Sequence, residues 1–496
     1  MPARTGKEYI ARLKERPREV WIGGEEVNDV TSHPAFRNGV LSIASLYDMQ
    51  SDPELRDEMT YVSPTTGDQV GLSFLAPKNI EDLERRRRMM YRWARAHCGM
   101  MGRTPDYLNV SFVAMAAAEE YFAENRPVFG ENVRNYYELI REGDFCLTHT
   151  LVNPQRSRLH NKPTTSQNFA DALAEDVALK VVRETDSGII VKGARVLATL
   201  GPISDEIAVY PARSHPTMEQ ERADKYAMSF SISCDSPGLK FICRESFDYG
   251  RSHFDHPLGS RFEEMDAMVF FDDVFVPWER VFLLDDVQRS NDLAMRTGWL
   301  VHAFHQTVTR IIAKSEFILG VASLMVEALG SGEQPHVQER LAELVMYLEI
   351  MKSLLRTAEA EAAPNEWGLF TPSRVSLNVA QHMYARSFYP RMVEITQLLG
   401  SSSLLALPSS ADFGTESLRP ELDHYMATDT ASALDRTKLF YLAWDISGSA
   451  FGSRQLHYER FFAGDQVRNA QILLNSYNRD PAMQYARDFL DREDTL

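Results

Sequence analysis

The sequence predicts an α+β protein in which helical segments flank a central β module, and three observations carry that reading. Apolar residues recur every three or four positions up to about residue 145, every second position from about 146 to 280, and every three or four again beyond about 285. The second handover is sharp. An acid-rich stretch after Ser260 leads into an apolar β run at 268–271, the pair Asp272-Asp273 follows, and Pro277 stops the strand. A chain of 496 residues is also too long for one small core and divides into roughly two or three modules. The expected division is an N-terminal helical domain over 1–145, a middle antiparallel β-barrel over 146–280, and a C-terminal four-helix bundle with a tail over 281–496.

In the first module, helices are expected at 7–16, 83–96 and 113–124. The basic run Arg85-Arg86-Arg87-Arg88 lies beside Glu81, Asp82 and Glu84 and reads as a solvated helix face. Thr104-Pro105-Asp106 interrupts any helix, because proline lacks a donor and restricts its predecessor. Arg103 and Tyr107 therefore flank a loop or a helix start. In the second module, β-branched runs at 177–183 and 189–197 meet at Asp186-Ser187-Gly188, a hairpin signal. Further strands are expected at 225–233, 239–243 and 268–275, enough for a small barrel or sandwich. In the third, Phe304, Val308, Ile311, Phe317, Val321 and Met325 trace one apolar helix face that stops at Gly330. Amphipathic segments at 337–362, 374–399 and 431–446 complete a bundle.

Composition narrows the function. A net charge of -17 argues against nucleic-acid and anionic-membrane partners. The opening 17 residues are polar and charged, without a secretory apolar core, and no apolar run approaches a membrane span. The expected location is the cytoplasm. Four cysteines, Cys98, Cys146, Cys234 and Cys243, have no CxxC spacing and read as buried free thiols. There is no G-x-G-x-x-G after a strand, no P-loop, no G-x-S-x-G and no H-E-x-x-H. His253 and His256 mimic a metal pair but lack a third ligand, so no metal is expected.

Four features remain. Met101-Gly102-Arg103-Thr104-Pro105-Asp106-Tyr107 places an arginine and a tyrosine one turn apart; Thr148-His149-Thr150 precedes Asn153-Pro154-Gln155-Arg156-Ser157-Arg158; Phe254-Asp255-His256-Pro257 precedes Glu263-Glu264-Met265-Asp266 and Val276-Pro277-Trp278-Glu279-Arg280; Phe451-Gly452-Ser453-Arg454-Gln455-Leu456-His457 ends the last bundle helix. Each alone has a plain structural reading: a surface hydrogen bond, a core histidine, a turn. In this order they resemble the 4-hydroxyphenylacetate 3-monooxygenase family, the oxygenase components of two-component flavin-dependent phenol hydroxylases on an acyl-CoA dehydrogenase-like scaffold.

That resemblance implies a set of roles. Arg103, Tyr107 and His149 would surround the phenol oxygen and carry the catalysis, with Ala212, Arg213 and His305 further along the substrate cavity. His302 is a second candidate for lining it. Gln155, Arg156, Ser157, Arg158, Asn161 and Thr199 would hold the flavin ring and ribityl side. Arg454, Gln455 and His457 would meet its nucleotide end across a subunit boundary. The cofactor would be FAD, delivered as FADH2 by a separate NAD(P)H:flavin reductase, with molecular oxygen as co-substrate and a C4a-hydroperoxyflavin as the oxidant. The assembly would be a homotetramer, a dimer of dimers. The substrate would be a para-substituted phenol hydroxylated ortho to its hydroxyl, 4-hydroxyphenylacetate-like first; a halophenol, or a tyrosine derivative tethered to a carrier, is the alternative. An acyl-CoA dehydrogenase-like oxidase is the rival reaction, with Glu359, Glu361 and Glu366 as possible bases. A related dehydratase branch uses a Cys-x-x-x-Cys pair for an iron–sulfur cluster, and Gly102 stands where the partner of Cys98 would be.

Overall fold

A computed structural model describes residues 3–154, 177–211, 225–248 and 250–492. Helices open and close the chain around two larger β-sheets, with two two-stranded pairs, Thr60–Val62 with Gln69–Gly71 and Ala363–Pro364 with Phe370–Thr371, beside them. The larger has six strands in the order Glu25–Glu26, Glu19–Ile22, Leu239–Cys243, Asp266–Pro277, Gly188–Thr199, Lys180–Thr185. The smaller has four, in the order Val281–Leu284, Met228–Ser233, Glu206–Val209, Leu147–Thr150. Val20, Phe230, Phe241, Val269, Val274 and Leu283 are all fully buried in one core that also receives the N-terminal helices.

The expected strands are present, but the closed antiparallel barrel is not what the described strands form. Both sheets are open, and each contains a parallel pair: Glu19–Ile22 with Leu239–Cys243, and Leu147–Thr150 with Glu206–Val209. The physical reason lies at the edges. One edge of the larger sheet is the exposed two-residue strand Glu25–Glu26. The other carries Arg183 and Glu184, exposed, on Lys180–Thr185. Short charged edges resist further pairing. A register shift between Phe271 and Val274, with Asp273 at φ 53°, bends the central strand as well.

The helical expectations hold with two adjustments. The segment 113–124 is split at Ala118 into helices Pro105–Ala117 and Glu119–Ala123. The segment 374–399 is helix Arg374–Met383, a π turn at Tyr384–Phe388, and helix Tyr389–Gly400. Pro390 lacks an N–H and crowds the carbonyl four residues back, and the wider turn absorbs that conflict. With Trp299–Ala328, Pro335–Ala360 and Ala433–Ser447 these helices enclose a second core around Val308, Ile318, Met325, Leu377 and Ile395. Helices Arg37–Ser51 and Pro127–Gly143 had no counterpart in the sequence reading. Three cysteines are buried and Cys98 is half-buried, all as free thiols.

One element of the basic run at 85–88 departs from a solvated face. Arg86 is fully buried, and its Nη2 meets His302 Nδ1 at 2.7 Å. It shares the inward face of helix Ile80–Ala96 with Leu83, Met89, Met90 and Trp93. Deeper in the bundle, Arg310 donates two hydrogen bonds to Glu459, at 2.6 and 2.8 Å, and Lys314 donates to the same carboxylate at 2.6 Å. All three side chains are essentially inaccessible. Burial alone would raise the Glu459 pKa, but the two cations hold it down at about 2. Glu459→Gln should therefore leave two buried cations short of their countercharge. A loss of about 3–5 kcal/mol in chemical denaturation is expected, and an unchanged midpoint would refute this reading of the bundle.

Candidate active site

The loop that presents Arg103 is tied down along its length. Helix Ile80–Ala96 ends, and Gly99 turns the chain at φ 69° against the backbone of Lys314. Arg310 donates to Gly99 O at 2.8 Å, Gln455 Nε2 to Met100 O at 3.0 Å, and the Met101 N–H to His97 Nδ1 at 3.1 Å. The Arg103 N–H donates to Glu264 Oε1 at 2.8 Å. Pro105 then starts helix Pro105–Ala117, where its missing donor costs nothing. Gly102 lies against the Tyr458 ring, and any Cβ there would collide with it.

The Arg103 side chain ends in an aromatic cage. Its guanidinium lies 4.1 Å from the Tyr107 ring centre, 5.2 Å from Phe462 and 5.4 Å from Tyr458. Arg103 is 8% exposed, and among the described residues it has no carboxylate partner. Besides the ring faces, only a long bond from its Nη1 to Gly102 O, at 3.4 Å, holds it among the described residues, which leaves the cation open to an incoming anion.

His149 completes the wall. It sits on the fully buried strand Leu147–Thr150, opposite Ala208. Its ring is 5.8 Å from Tyr107 and 5.7 Å from Tyr210. Burial, and then the charge of Arg103, pushes its pKa well below the ordinary histidine value, so the imidazole is neutral at physiological pH. Tyr210 in turn stacks on Trp299, centres 4.9 Å apart and planes within 2°. The Tyr210 hydroxyl, the Trp299 indole nitrogen, Thr150 Oγ1 and Asn153 Oδ1 are buried without a hydrogen-bond partner among the described residues. Unpaired buried polar atoms are costly, and such a set beside an unpaired guanidinium fits a ligand rich in donors and acceptors. Tyr210, Trp299 and Glu264 were not singled out from sequence; a buried tyrosine or tryptophan needs a partner for its polar tip, but which ones lack it is visible only in three dimensions.

The other sequence candidates fall into three groups. Gln155, Arg156, Ser157, Arg158, Asn161, Ala212 and Arg213 lie outside the described residues. Thr199, Arg454 and Gln455 are built into the frame. Thr199 donates its hydroxyl to Asp266 at 2.7 Å. Arg454 forks onto Asp266 at 2.8 and 3.0 Å and reaches Glu264 at 3.0 Å. Gln455 accepts from Lys314 at 2.8 Å. His457 is exposed beside Phe461. His305 is buried on helix Trp299–Ala328 and meets Glu359 at 2.8 Å, with Arg87 donating to the same oxygen. That ties Glu359 into ion pairs and leaves it poorly suited as a free base; Glu366 is paired with Arg296 on the surface. His302 lies between Arg86 and Thr371. No group of three potential metal ligands occurs among the described residues.

Asp106, next to Tyr107, is a buried carboxylate that accepts from Thr104 Oγ1 at 2.6 Å and Gln306 Nε2 at 3.1 Å. Burial raises its pKa to about 6. The native state then keeps a proton that the unfolded chain has lost, so stability falls as pH rises from about 4 to about 6. Asp106→Asn is expected to flatten that slope and to be at least as stable as the parent at pH 7, since Gln306 Oε1 has no partner and can accept from the new amide. Urea titrations of both proteins at pH 5 and pH 7 check this; parallel pH profiles would refute it.

Residues 5–283 match the family profile described as 4-hydroxyphenylacetate 3-hydroxylase N terminal, and residues 290–491 match its C-terminal counterpart. The chain is 48% identical over 490 residues to a 4-hydroxyphenylacetate 3-monooxygenase oxygenase component from Geobacillus sp. (strain PA-9), covering 99% of this chain and 97% of that one. It is 46% identical to the protein of the same description from Thermus thermophilus, covering 98% and 97%. A crystal structure of such an oxygenase component, complexed with FAD and 4-hydroxyphenylacetate, superposes with a TM-score of 0.91 at 45% identity, covering 98% of each chain. With both halves matched and full-length relatives near half identity, the chain belongs to the 4-hydroxyphenylacetate 3-hydroxylase family.

Proposed function

We propose that this chain is the oxygenase component of a two-component monooxygenase that hydroxylates 4-hydroxyphenylacetate, or a closely similar para-substituted phenol, ortho to its hydroxyl. The observation that carries the reading is the buried Arg103 guanidinium, without a carboxylate, flanked by Tyr107 and a neutral His149. Arginine stays cationic and favours phenolate over phenol, which enriches the ortho carbon in electrons. A neutral imidazole can take or share the phenol proton where an imidazolium could not. Tyr107, fixed on the first turn of its helix, orients the ring. Tyr210 and Trp299 close the far side of His149 and keep water out.

FAD fits the same wall, given the unpaired buried polar atoms at the end of strand Leu147–Thr150. Bound in reduced form it would supply the two electrons that activate molecular oxygen, one atom of which passes to the phenol and the other to water. The missing dinucleotide fingerprint supports delivery of reduced flavin by a separate reductase. We read the scaffold as acyl-CoA dehydrogenase-like with the three expected modules, and the compartment as the cytoplasm, in keeping with the free thiols. No helix among the described residues is long and apolar enough to cross a membrane. The terminal helices Gln466–Ser476 and Asp480–Leu490 bury no residue and expose Val467, Leu474, Tyr485 and Phe489. Such a face supports assembly with further copies, for which we propose a homotetramer. His457 is then the member of its group placed to reach outward, while Arg454 and Gln455 hold the frame.

Purified protein given reduced FAD, oxygen and 4-hydroxyphenylacetate should release the ortho-diol, and should oxidise NADH negligibly without a reductase. Rapid NADH turnover by the chain alone would overturn the two-component reading. In Arg103→Ala the loss of a charge-assisted contact, about 1.5–3 kcal/mol, should lower diol formed per reduced flavin and raise hydrogen peroxide release. A variant that couples as well as the parent would remove Arg103 from the phenol site.

A further inference from the structure

Arg195 is a second buried cation, and nothing in the described structure answers its charge. It sits on strand Gly188–Thr199 opposite Val269 and is 0% exposed. Its Nη1 donates to Leu151 O at 3.1 Å. Its Nε and Nη2 have no hydrogen-bond partner, and no carboxylate pairs with it among the described residues. Burial lowers its pKa to about 9, which still leaves it charged at neutral pH. Several other buried cations here are answered by carboxylates, Arg4 by Asp205, Arg310 by Glu459, Arg454 by Asp266 and Glu264, while Arg86 spends its donors on His302 and Leu75 O. An unanswered one is a standing cost to the apo protein.

Its position relates it to the phenol wall. Just beyond Arg195 the strand is laced to the segment bearing His149: the Val196 N–H donates to Val152 O at 2.8 Å, and Thr148 Oγ1 to Thr199 O at 2.7 Å. The Arg195 guanidinium thus ends on a carbonyl two residues beyond His149. A phenol carbon that takes an oxygen atom from the flavin must touch the flavin edge. A bound flavin would therefore present its ring edge to this same wall. Oxidised flavin is neutral, whereas reduced flavin readily carries a negative charge on its pyrimidine ring at neutral pH.

We propose that Arg195 is the cation that selects the reduced, anionic flavin over the oxidised one, with its free Nε and Nη2 as the donors for that anion. This rests on the flavin-dependent reading above. It gives that reading a sign: the protein would hold the form that reacts with oxygen and release the form left after turnover.

The test uses Arg195→Met and Arg195→Lys in the full chain, with two readouts besides turnover. In thermal melts without flavin, Arg195→Met should melt above the parent, because an unpaired buried charge is gone; a merely structural arginine would give the opposite shift. In anaerobic titrations with FAD and with dithionite-reduced FAD, the parent should favour the reduced form. Arg195→Met should lose about tenfold of that preference, equivalent to a fall of about 30 mV in the two-electron potential of the bound flavin. Arg195→Lys should keep most of it. A lower melting point for Arg195→Met, or an unchanged preference in it, overturns the proposal even if the parent hydroxylates the phenol. A parent that binds neither form of flavin removes the functional reading and this inference with it.

Discussion

Glu264 and Asp266, two buried or nearly buried carboxylates one residue apart, are where the parts of the molecule meet. Glu264 accepts from the Arg103 backbone N–H and from Arg454, and Asp266 accepts from Arg454, Arg244 and the Thr199 hydroxyl. One cluster therefore joins helix Ala450–Phe461, the larger sheet and the loop that carries Arg103. Burial would raise the Asp266 pKa, but Arg454 and then Arg244 hold it far below the carboxylate range, so Asp266 stays ionised. Breaking a buried pair from one side is worse than never having built it, because the survivor keeps its charge without compensation. The position of the phenol clamp is thus set by charges that never touch the phenol.

The same cluster gives Arg454 a role different from the one its sequence context implied. A Gly-Ser-Arg-Gln stretch at a helix start resembles a pyrophosphate cradle. Gly452 is instead small because a Cβ would press on the Asp445 and Ile446 carbonyls, and the Arg454 fork is filled by Asp266 and Glu264. A substitution at Arg454 would move Arg103 as well, so its effect on flavin could not be separated from its effect on phenol.

Much of the fold could be read from periodicity, and the failures have physical causes. Strand Leu239–Cys243 falls where alternation places it, and Asp266–Pro277 extends the expected run by two residues at each end. That the larger sheet is open and mixed rather than a closed antiparallel barrel could not be read, because it depends on Glu19–Ile22, four residues long, pairing in parallel with a strand about 220 residues away. Arg86 was legible in principle: it stands three after Leu83 and seven before Trp93, on the apolar stripe, and a charge there asks for a buried partner. At the proposed site, Arg103 and Tyr107 were picked out from the proline between them and His149 from the family's motif order, and the structure brings the three side chains together. Tyr210 and Trp299 arrive from elements 89 residues apart in sequence, and only their stacking identifies them.

An acidic protein that takes up an anion has to create a local field opposed to its net charge. A net charge of -17 disfavours the approach of a carboxylate or phenolate from bulk water. Inside the wall the sign reverses, and low polarisability makes one unpaired guanidinium count for more than many screened surface carboxylates. The arrangement is also self-limiting. The Arg103 charge helps keep His149 neutral, so the clamp carries one positive charge rather than two. On the proposed reading, that charge would match a single phenolate and would leave the imidazole free to handle the proton.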